Sequence, residues 1–301
     1  MSATRLIFGC GYLGLRAGSL WRDAGDEIIA ATRSEERARE LRTKHGFRTL
    51  VVDVVDLASL ADLPRADTLL FAVGFDRKSG DSIQDVYAEG LQNVLATITA
   101  NIRHAIYIST TGVYGAAGGG WVDERTPTDP QRDGGKASLA AEEILRAHPL
   151  GERSAILRLA GIYGPGRVPY LDKLRAGEPI AAPSAGWLNL IHVDDAARIV
   201  VGIDQWLAER VASDGPYVFC VSDGSPVVRG EYYAEAARLI DAAPPCFTQP
   251  AADSPAAARA GADRRVSNAK LREWMSEAGI SNEYPSYREG LAQILHADGA
   301  T

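Results

Sequence analysis

Gly9, Gly11 and Gly14 stand as G-x-G-x-x-G inside GCGYLG. The apolar run TRLIF (4–8) precedes them, and Leu13, Leu15, Ala17 and Leu20 follow at helical intervals. In a strand–turn–helix of this kind the first glycine makes the tight turn. The second lets the backbone approach a pyrophosphate, and the third lets helix and strand pack closely. The free N–H groups at the helix start, around Tyr12 and Leu13, then face the phosphates. The chemistry specified is dinucleotide binding. The competing reading is a glycine-rich turn without a ligand.

The second predicted strand, EIIAATR (27–33), ends on Arg33 where an acid would bond the ribose of NAD. A guanidinium there suits a 2′-phosphate by charge and fork geometry, so NADP is expected, with NAD as the alternative. The other reading of Arg33 is an exposed residue leading a helix. Asp53 ends the predicted third strand, FRTLVVDVVD (47–56). It either accepts a hydrogen bond from the adenine amino group or caps the next turn. Ala72, Val73 and Gly74 close the fourth strand, DTLLFAVG (67–74), and their small size leaves room for a cofactor across the sheet edge.

The elements that must position these groups alternate. After the first four strands come a long amphipathic helix over 82–100, a strand over 104–110, an Ala-rich helix over 134–148 and a strand within 153–164. Strands apolar along their length, alternating with helices, indicate a parallel sheet covered on both faces. After Gly164 the rhythm changes to a Gly/Pro-rich stretch with one short helix. LNLIHVDDAARIVVGIDQWL then resumes strand and helix, and PYVFCVSDG (216–224) adds a strand. Residues 241–265 are Ala- and Pro-rich and read as the loosest segment. Two helices close the chain, the first capped by Ser267 or Asn268. The expected architecture is α/β. A Rossmann-type doubly wound parallel sheet spans 1–165, with 190–222 returning to it. A smaller C-terminal α/β substrate lobe comprises 166–189 and 223–301.

The net charge of −7 over 301 residues lacks the basic stripe that a phosphate-backbone binder needs, so nucleic acid is not an expected partner. A local basic pocket for a small phosphate stays compatible with it. Cys10, Cys220 and Cys246 are not spaced as a metal pair or a disulfide framework. No metal is expected, and a reducing cytoplasm fits. MSATRLIFGCGYLG reads as the start of a fold rather than a secretion signal. No apolar run approaches the ~18 residues of a membrane span.

With FGCGYLG, STTGVYG (109–115), RLAGIYGPG (158–166), NLIHVDDAA (189–197) and RVSNAKL (265–271), the chain resembles an extended short-chain dehydrogenase/reductase of the NAD-dependent epimerase/dehydratase family. The likeness covers nearly the whole chain. It implies a Ser or Thr three residues before VYG and a Tyr-x-x-x-Lys on the next helix. Thr110 matches the first. Lys136 matches the lysine, which puts Arg132 in the tyrosine position. In such a pair the ammonium lowers the phenol's pKa, and the phenolate takes a proton as hydride leaves. Arginine stays protonated, so Arg132 can donate a hydrogen bond or hold an anion but cannot be the general base. Two further departures are Phe8, where extended members begin their glycine spacing, and Gly161, where sugar-nucleotide epimerases commonly carry Asn. The pattern resembles atypical members that keep the cofactor fold and lose part of the catalytic set.

Tyr114, Tyr163 and Tyr170 lie near expected strand ends and are candidates for the missing acid/base, although the first two belong to family motifs that usually pack. His192 is a further candidate by residue type, since a histidine can exchange a proton near neutrality, but the strand carrying it makes a structural role the expectation. Asp194 and Asp195 read as acids at a helix start. Lys136 is expected at the nicotinamide ribose, or else as a solvated lysine. Thr110 bonds a substrate oxygen, or else its own backbone. Arg132, Arg158 and Arg167 are considered for an anionic substrate. Two functions compete. One is an NAD(P)-dependent oxidoreductase or epimerase on a small substrate, possibly nucleotide-sugar-like. The other is a non-catalytic NADP-binding sensor or regulatory partner. The resemblance also implies a possible homodimer.

Overall fold

The computed structural model describes residues 2–98, 102–210, 214–251, 254, 257, 261 and 263–298. Much of the Ala/Pro-rich stretch predicted as loose, and the end of the predicted 82–100 helix, lie outside the described residues. The chain divides into two compact units. One comprises residues 1–113, 130–158 and 196–219, the other 114–129, 159–195 and 220–301.

The first unit is built on a seven-stranded sheet. Its strands are β1 (Thr4–Phe8), β2 (Glu27–Thr32), β3 (Arg48–Val51), β4 (Thr68–Phe71), β5 (His104–Thr110), β6 (Ser154–Leu159) and β7 (Tyr217–Val221). Their order across the sheet is β7-β6-β5-β4-β1-β2-β3. The β3–β2, β2–β1, β1–β4 and β4–β5 pairs are parallel. The C-terminal ends of these five strands therefore share one edge. Leu6, Ile7 and Phe8 are buried because helices flank the sheet, which is why β1 reads as a continuous apolar run. Phe8, Phe71 and Tyr107 pack in series at 6.2 and 6.1 Å between ring centroids.

Two helices next to the cradle end differently. In α2 (Glu35–His45), Ser34 Oγ accepts from Arg37 N at 3.2 Å and Glu35 and Glu36 sit in the first turn. Gly46 closes it in the left-handed region at φ 68°. That is a fully capped helix, consistent with its dipole. The α1 helix (Gly14–Asp23) begins with no side-chain cap and no acid in its first turn. Its N-terminal positive end is left without a carboxylate.

Three sequence expectations change. The third strand stops at Val51, because Asp53 starts a turn in which its Oδ1 accepts from Val55 N at 3.1 Å. The predicted 82–100 helix carries a π-turn over Asp85–Glu89 in its first part and continues as α3 over Gly90–Thr97. Gly90 lies against Val54, where a Cβ would come within 2.7 Å of Cγ2. Thirdly, Asn268 caps the helix after it with no side-chain bond, because its amide donates to Ser222 O at 2.8 Å. The Asp133–Ala147 helix, α4, forms as expected.

The second unit contains α5 (Leu171–Ala176), α7 (Arg229–Leu239), α8 (Ala269–Glu277) and α9 (Tyr287–Asp298), with short paired strands. Gly161–Tyr163 runs parallel to Leu190–His192, and Trp121–Val122 parallel to Arg265–Val266. Tyr163, Leu174, Ile180, Tyr232, Leu291 and Ile294 form its core. Sequence reading assigned no element to α7, whose buried Tyr232, Tyr233, Ala236 and Ala237 fall at helical spacing. Between the units in sequence, α6 (Val193–Ala208) carries Asp194 and Asp195 in its first turn. No helix among the described residues is long and apolar enough to cross a membrane.

Candidate functional site

The turn after β1 is shaped by close backbone approach. Gly9 has φ +89°, and a Cβ on it would stand 2.2 Å from Ala72 O and 2.5 Å from Val73 N. The end of β1 thus presses directly on the end of β4, and only glycine fits. Gly11 N donates to Gly9 O at 2.8 Å. A Cβ on Gly11 would meet nothing within 4 Å, so this backbone faces open space. Gly14 again allows no side chain: its Cβ would lie 2.4 Å from Gly9 O. Leu13 is buried, and the Tyr12 ring holds the Arg16 guanidinium at 4.3 Å. Burial pushes the Cys10 thiol up to about 12 against the lowering influence of Arg37, which disfavours the thiolate.

Beside the turn lies an open pocket of about 630 Å³, lined in part by Arg33, Arg37, Asp53, Asp76 and Asp81. Arg33 reaches Asp76 at 3.5 Å and Asp81 at 4.0 Å; Arg33 and Asp76 are exposed and Asp81 is partly so. Such pairs hold weakly, at about 0–1 kcal/mol, and yield to a better anion. Asp53 lines the pocket while capping its own turn, so the turn-capping alternative is the one its Oδ1 adopts. Sequence reasoning missed Arg37. It donates from Nη2 to Cys10 O at 3.0 Å, tying α2 to the glycine turn. Its place in the first turn of α2, right after Arg33 and Ser34, was the available signal.

A second group gathers at the end of β5. Thr110 Oγ1 accepts from Gly112 N at 3.0 Å, which leaves its O–H to donate elsewhere. Arg132 sits at the cap of α4 in extended conformation, and a Cβ on Gly112 would lie 3.4 Å from its Nη2. Gly135 explains one glycine of DGG: a Cβ there would fall 2.3 Å from Gly112 O. Lys136 is exposed, and its ammonium bonds no described residue. The buried positions of α4 are Gly135, Ala137, Ser138, Ala141, Glu142 and Leu145, without a phenol or an ammonium. Glu142 is committed elsewhere. It accepts from Ser109 Oγ at 2.6 Å and pairs with Arg158 through Nε at 2.9 Å and Nη2 at 2.6 Å, all of them buried. This removes Arg158 from the anion-binding trio considered from sequence, because its guanidinium is spent inside the first unit.

The substitute acid/bases considered from sequence are packed. Tyr114 is buried with its hydroxyl 3.1 Å from Cys220 Sγ. Tyr163 is buried, donates to Ser286 O at 3.4 Å, and burial holds its phenol above the usual range. Tyr170 lies in the left-handed region with its ring 5.8 Å from Tyr233. His192 is fully buried against Tyr163 and Tyr284 and accepts from Asp194 N at 3.3 Å, which fits the structural expectation. Asp195 does more than start a helix: its two oxygens accept from Glu283 N and Tyr284 N at 2.8 and 3.0 Å.

Asp223 was not singled out in the sequence. Burial pushes its carboxyl up to about 7, helped by Asp195 and Glu289 and opposed by the bond from Ser225 N. A raised acid stabilises the fold while protonated. That contribution is complete below about pH 4 and is lost as pH rises to about 7. Asp223→Asn keeps the acceptor and removes the titration. Its stability relative to the parent should therefore rise by about 2–4 kcal/mol between pH 4 and pH 8, as read by denaturant unfolding at each pH.

Comparison with known proteins places this geometry. The NAD dependent epimerase/dehydratase family matches residues 6–214. Protein YeeZ of Escherichia coli (strain K12) is 32% identical over 252 residues, covering 80% of this chain and 85% of YeeZ. A functionally unknown conserved protein from Silicibacter pomeroyi is 29% identical, covers all of both chains and superposes with a TM-score of 0.77. The Bordetella bronchiseptica enzyme WbmG, solved in complex with NAD and UDP, shares the fold at TM-score 0.79 and 19% identity, covering 100% of this chain and 97% of its own. The chain belongs to the NAD-dependent epimerase/dehydratase family.

Proposed function

We propose that this protein binds a nicotinamide dinucleotide at the Gly9–Gly14 turn, prefers NADP, and acts as an oxidoreductase or epimerase on a small, nucleotide-sugar-like substrate. The observation that carries the reading is the junction of an open Gly11 backbone with an α1 N-terminus lacking both cap and acid. These are the features a pyrophosphate needs. Tyr12, Leu13 and Gly14 supply the helix start, and Ala72, Val73 and Gly74 supply the small neighbouring edge. Arg33, with Arg37 behind it, meets the 2′-phosphate after leaving Asp76 and Asp81. The UDP complex of the WbmG neighbour supports a nucleotide-linked substrate class.

A bound nicotinamide supplies hydride transfer. This chain supplies orientation: the Thr110 hydroxyl donates to a substrate oxygen, and Arg132 holds a negative group without taking a proton. Lys136 is placed to reach the ribose hydroxyls only if its exposed stem folds inward. Proton transfer falls to water or to the substrate, since the buried positions of α4 carry no acid/base other than Glu142, which Ser109 and Arg158 hold. That same absence favours the second reading, a binding protein that senses the cofactor without turnover.

Two measurements test the proposal, the first its cofactor preference and the second which of the two readings holds. Arg33→Ala should weaken NADP⁺ by about tenfold to a hundredfold and leave NAD⁺ unchanged, since a charge-assisted bidentate contact is worth about 1.5–3 kcal/mol. Incubation with NADPH and a panel of carbonyl compounds and nucleotide sugars should show slow cofactor oxidation or sugar interconversion. Tight binding of both redox forms with no conversion across the panel assigns the sensor role instead.

A further inference from the structure

The edge of the sheet opposite the glycine turn, at the strand N-termini, carries two adjoining pockets of about 320 and 370 Å³. Arg103 and Arg153 line both. The first adds Arg210 and Glu152, and the second adds Arg65 and Asp67. All six belong to the first unit. Each pocket therefore sets three guanidiniums against one carboxylate, in a chain whose net charge is −7. Arg65 and Arg153 bond no described residue. Arg103 pairs with Asp67 at 3.1 Å while 76% exposed, a contact that leaves most of its fork available.

The site is held in place from two sides. Arg210 lies 4.0 Å over Trp206 and 5.5 Å from Tyr217, so its plane is fixed by stacking. Behind the first pocket, the buried His104 places Nε2 2.7 Å from Asp204 Oδ1, and Asp204 pairs with Arg5 at 3.0 Å. The floor is a buried polar network that joins Arg5, Thr68, His104 and Asp204.

We propose that this edge binds a small anion carrying two phosphoryl groups, one per pocket, with Arg103 and Arg153 shared between them. Guanidinium forks match phosphoryl oxygens in geometry as well as charge. Cofactors of open α/β sheets bind at the carboxyl ends of the strands, so this is a second site. Arg210 also follows the end of α6 by two residues, where a cation favours the helix dipole. A dipolar role alone predicts a stability effect without any anion dependence.

Inorganic pyrophosphate is the probe, titrated calorimetrically into the full chain. Arg153→Gln removes a side chain that lines both pockets and bonds no described residue. Gly11→Ala fits its open surroundings and obstructs only the glycine turn, the other place a pyrophosphate could bind. Binding that weakens at least tenfold in Arg153→Gln, and in a second variant Arg103→Gln, while persisting in Gly11→Ala, supports the proposal. Absent binding at millimolar pyrophosphate overturns it. So does binding that survives both arginine changes, or binding that is lost in Gly11→Ala.

Discussion

Gly9→Val is expected to destabilise the protein by about 3–5 kcal/mol and to abolish measurable nucleotide binding, through backbone strain and overpacking together. The side chain would have to occupy φ +89°, a region that β-branched residues avoid, with its Cβ 2.2 Å from Ala72 O. That neighbour is the backbone at the end of β4, hydrogen-bonded through Ala72 N to Phe8 O at 2.8 Å, so it cannot swing aside. Separating β1 from β4 at this point also displaces the turn that must meet a phosphate. Gly11→Ala is the contrasting variant. Its Cβ meets no atom within 4 Å, so stability should change by about 0.5 kcal/mol or less while nucleotide affinity falls. Equilibrium denaturation read beside calorimetric titration separates the two effects. Equal stability loss in both variants would show that the turn is only structural.

Glu142→Ala is expected to cost about 3–5 kcal/mol, because it leaves a buried guanidinium without its partner. Arg158 is 4% exposed and Ser109 4%, so neither can turn to water. The paired change Glu142→Leu with Arg158→Met should recover most of the loss, since an apolar pair of similar volume removes both charges from the interior. Recovery in the double variant, measured by urea unfolding, identifies the unpaired charge as the cause. A double variant no better than Glu142→Ala would point instead to the hydroxyl of Ser109 and the seating of α4 on β5.

The order of the central elements could be read from the sequence because β1, β2 and β4 are largely apolar and buried on both faces, and because Gly9 and Gly14 answer steric demands of the turn. Gly14 is required by Gly9 O five residues earlier, and Gly9 by the backbone of Ala72 and Val73 at the end of β4. Arg37 was harder to see, because its contact with Cys10 O joins two helices' starts across 27 residues. The fate of Arg158 was hidden for a similar reason: its partner lies 16 residues earlier, on a helix face whose burial the sequence shows only as alanines. The third strand read too long because an Asx turn at Asp53 interrupts an apolar run without glycine or proline to mark it. The π-turn at Asp85–Glu89 left no trace in the hydrophobic spacing, which continues across it. Asp223 escaped notice because an acid in SDG reads as turn chemistry, and only the packing around it makes it a buried, proton-holding group.

The central claim is that the glycine turn and the start of α1 hold a dinucleotide that Arg33 selects for its 2′-phosphate. Calorimetric titration of the intact protein with NADP⁺ and NAD⁺ tests it most directly. The account predicts saturable binding of both, at least about tenfold tighter for NADP⁺, equivalent to about 1.4 kcal/mol. No heat of binding with either nucleotide, or NAD⁺ bound as tightly as NADP⁺, would contradict it.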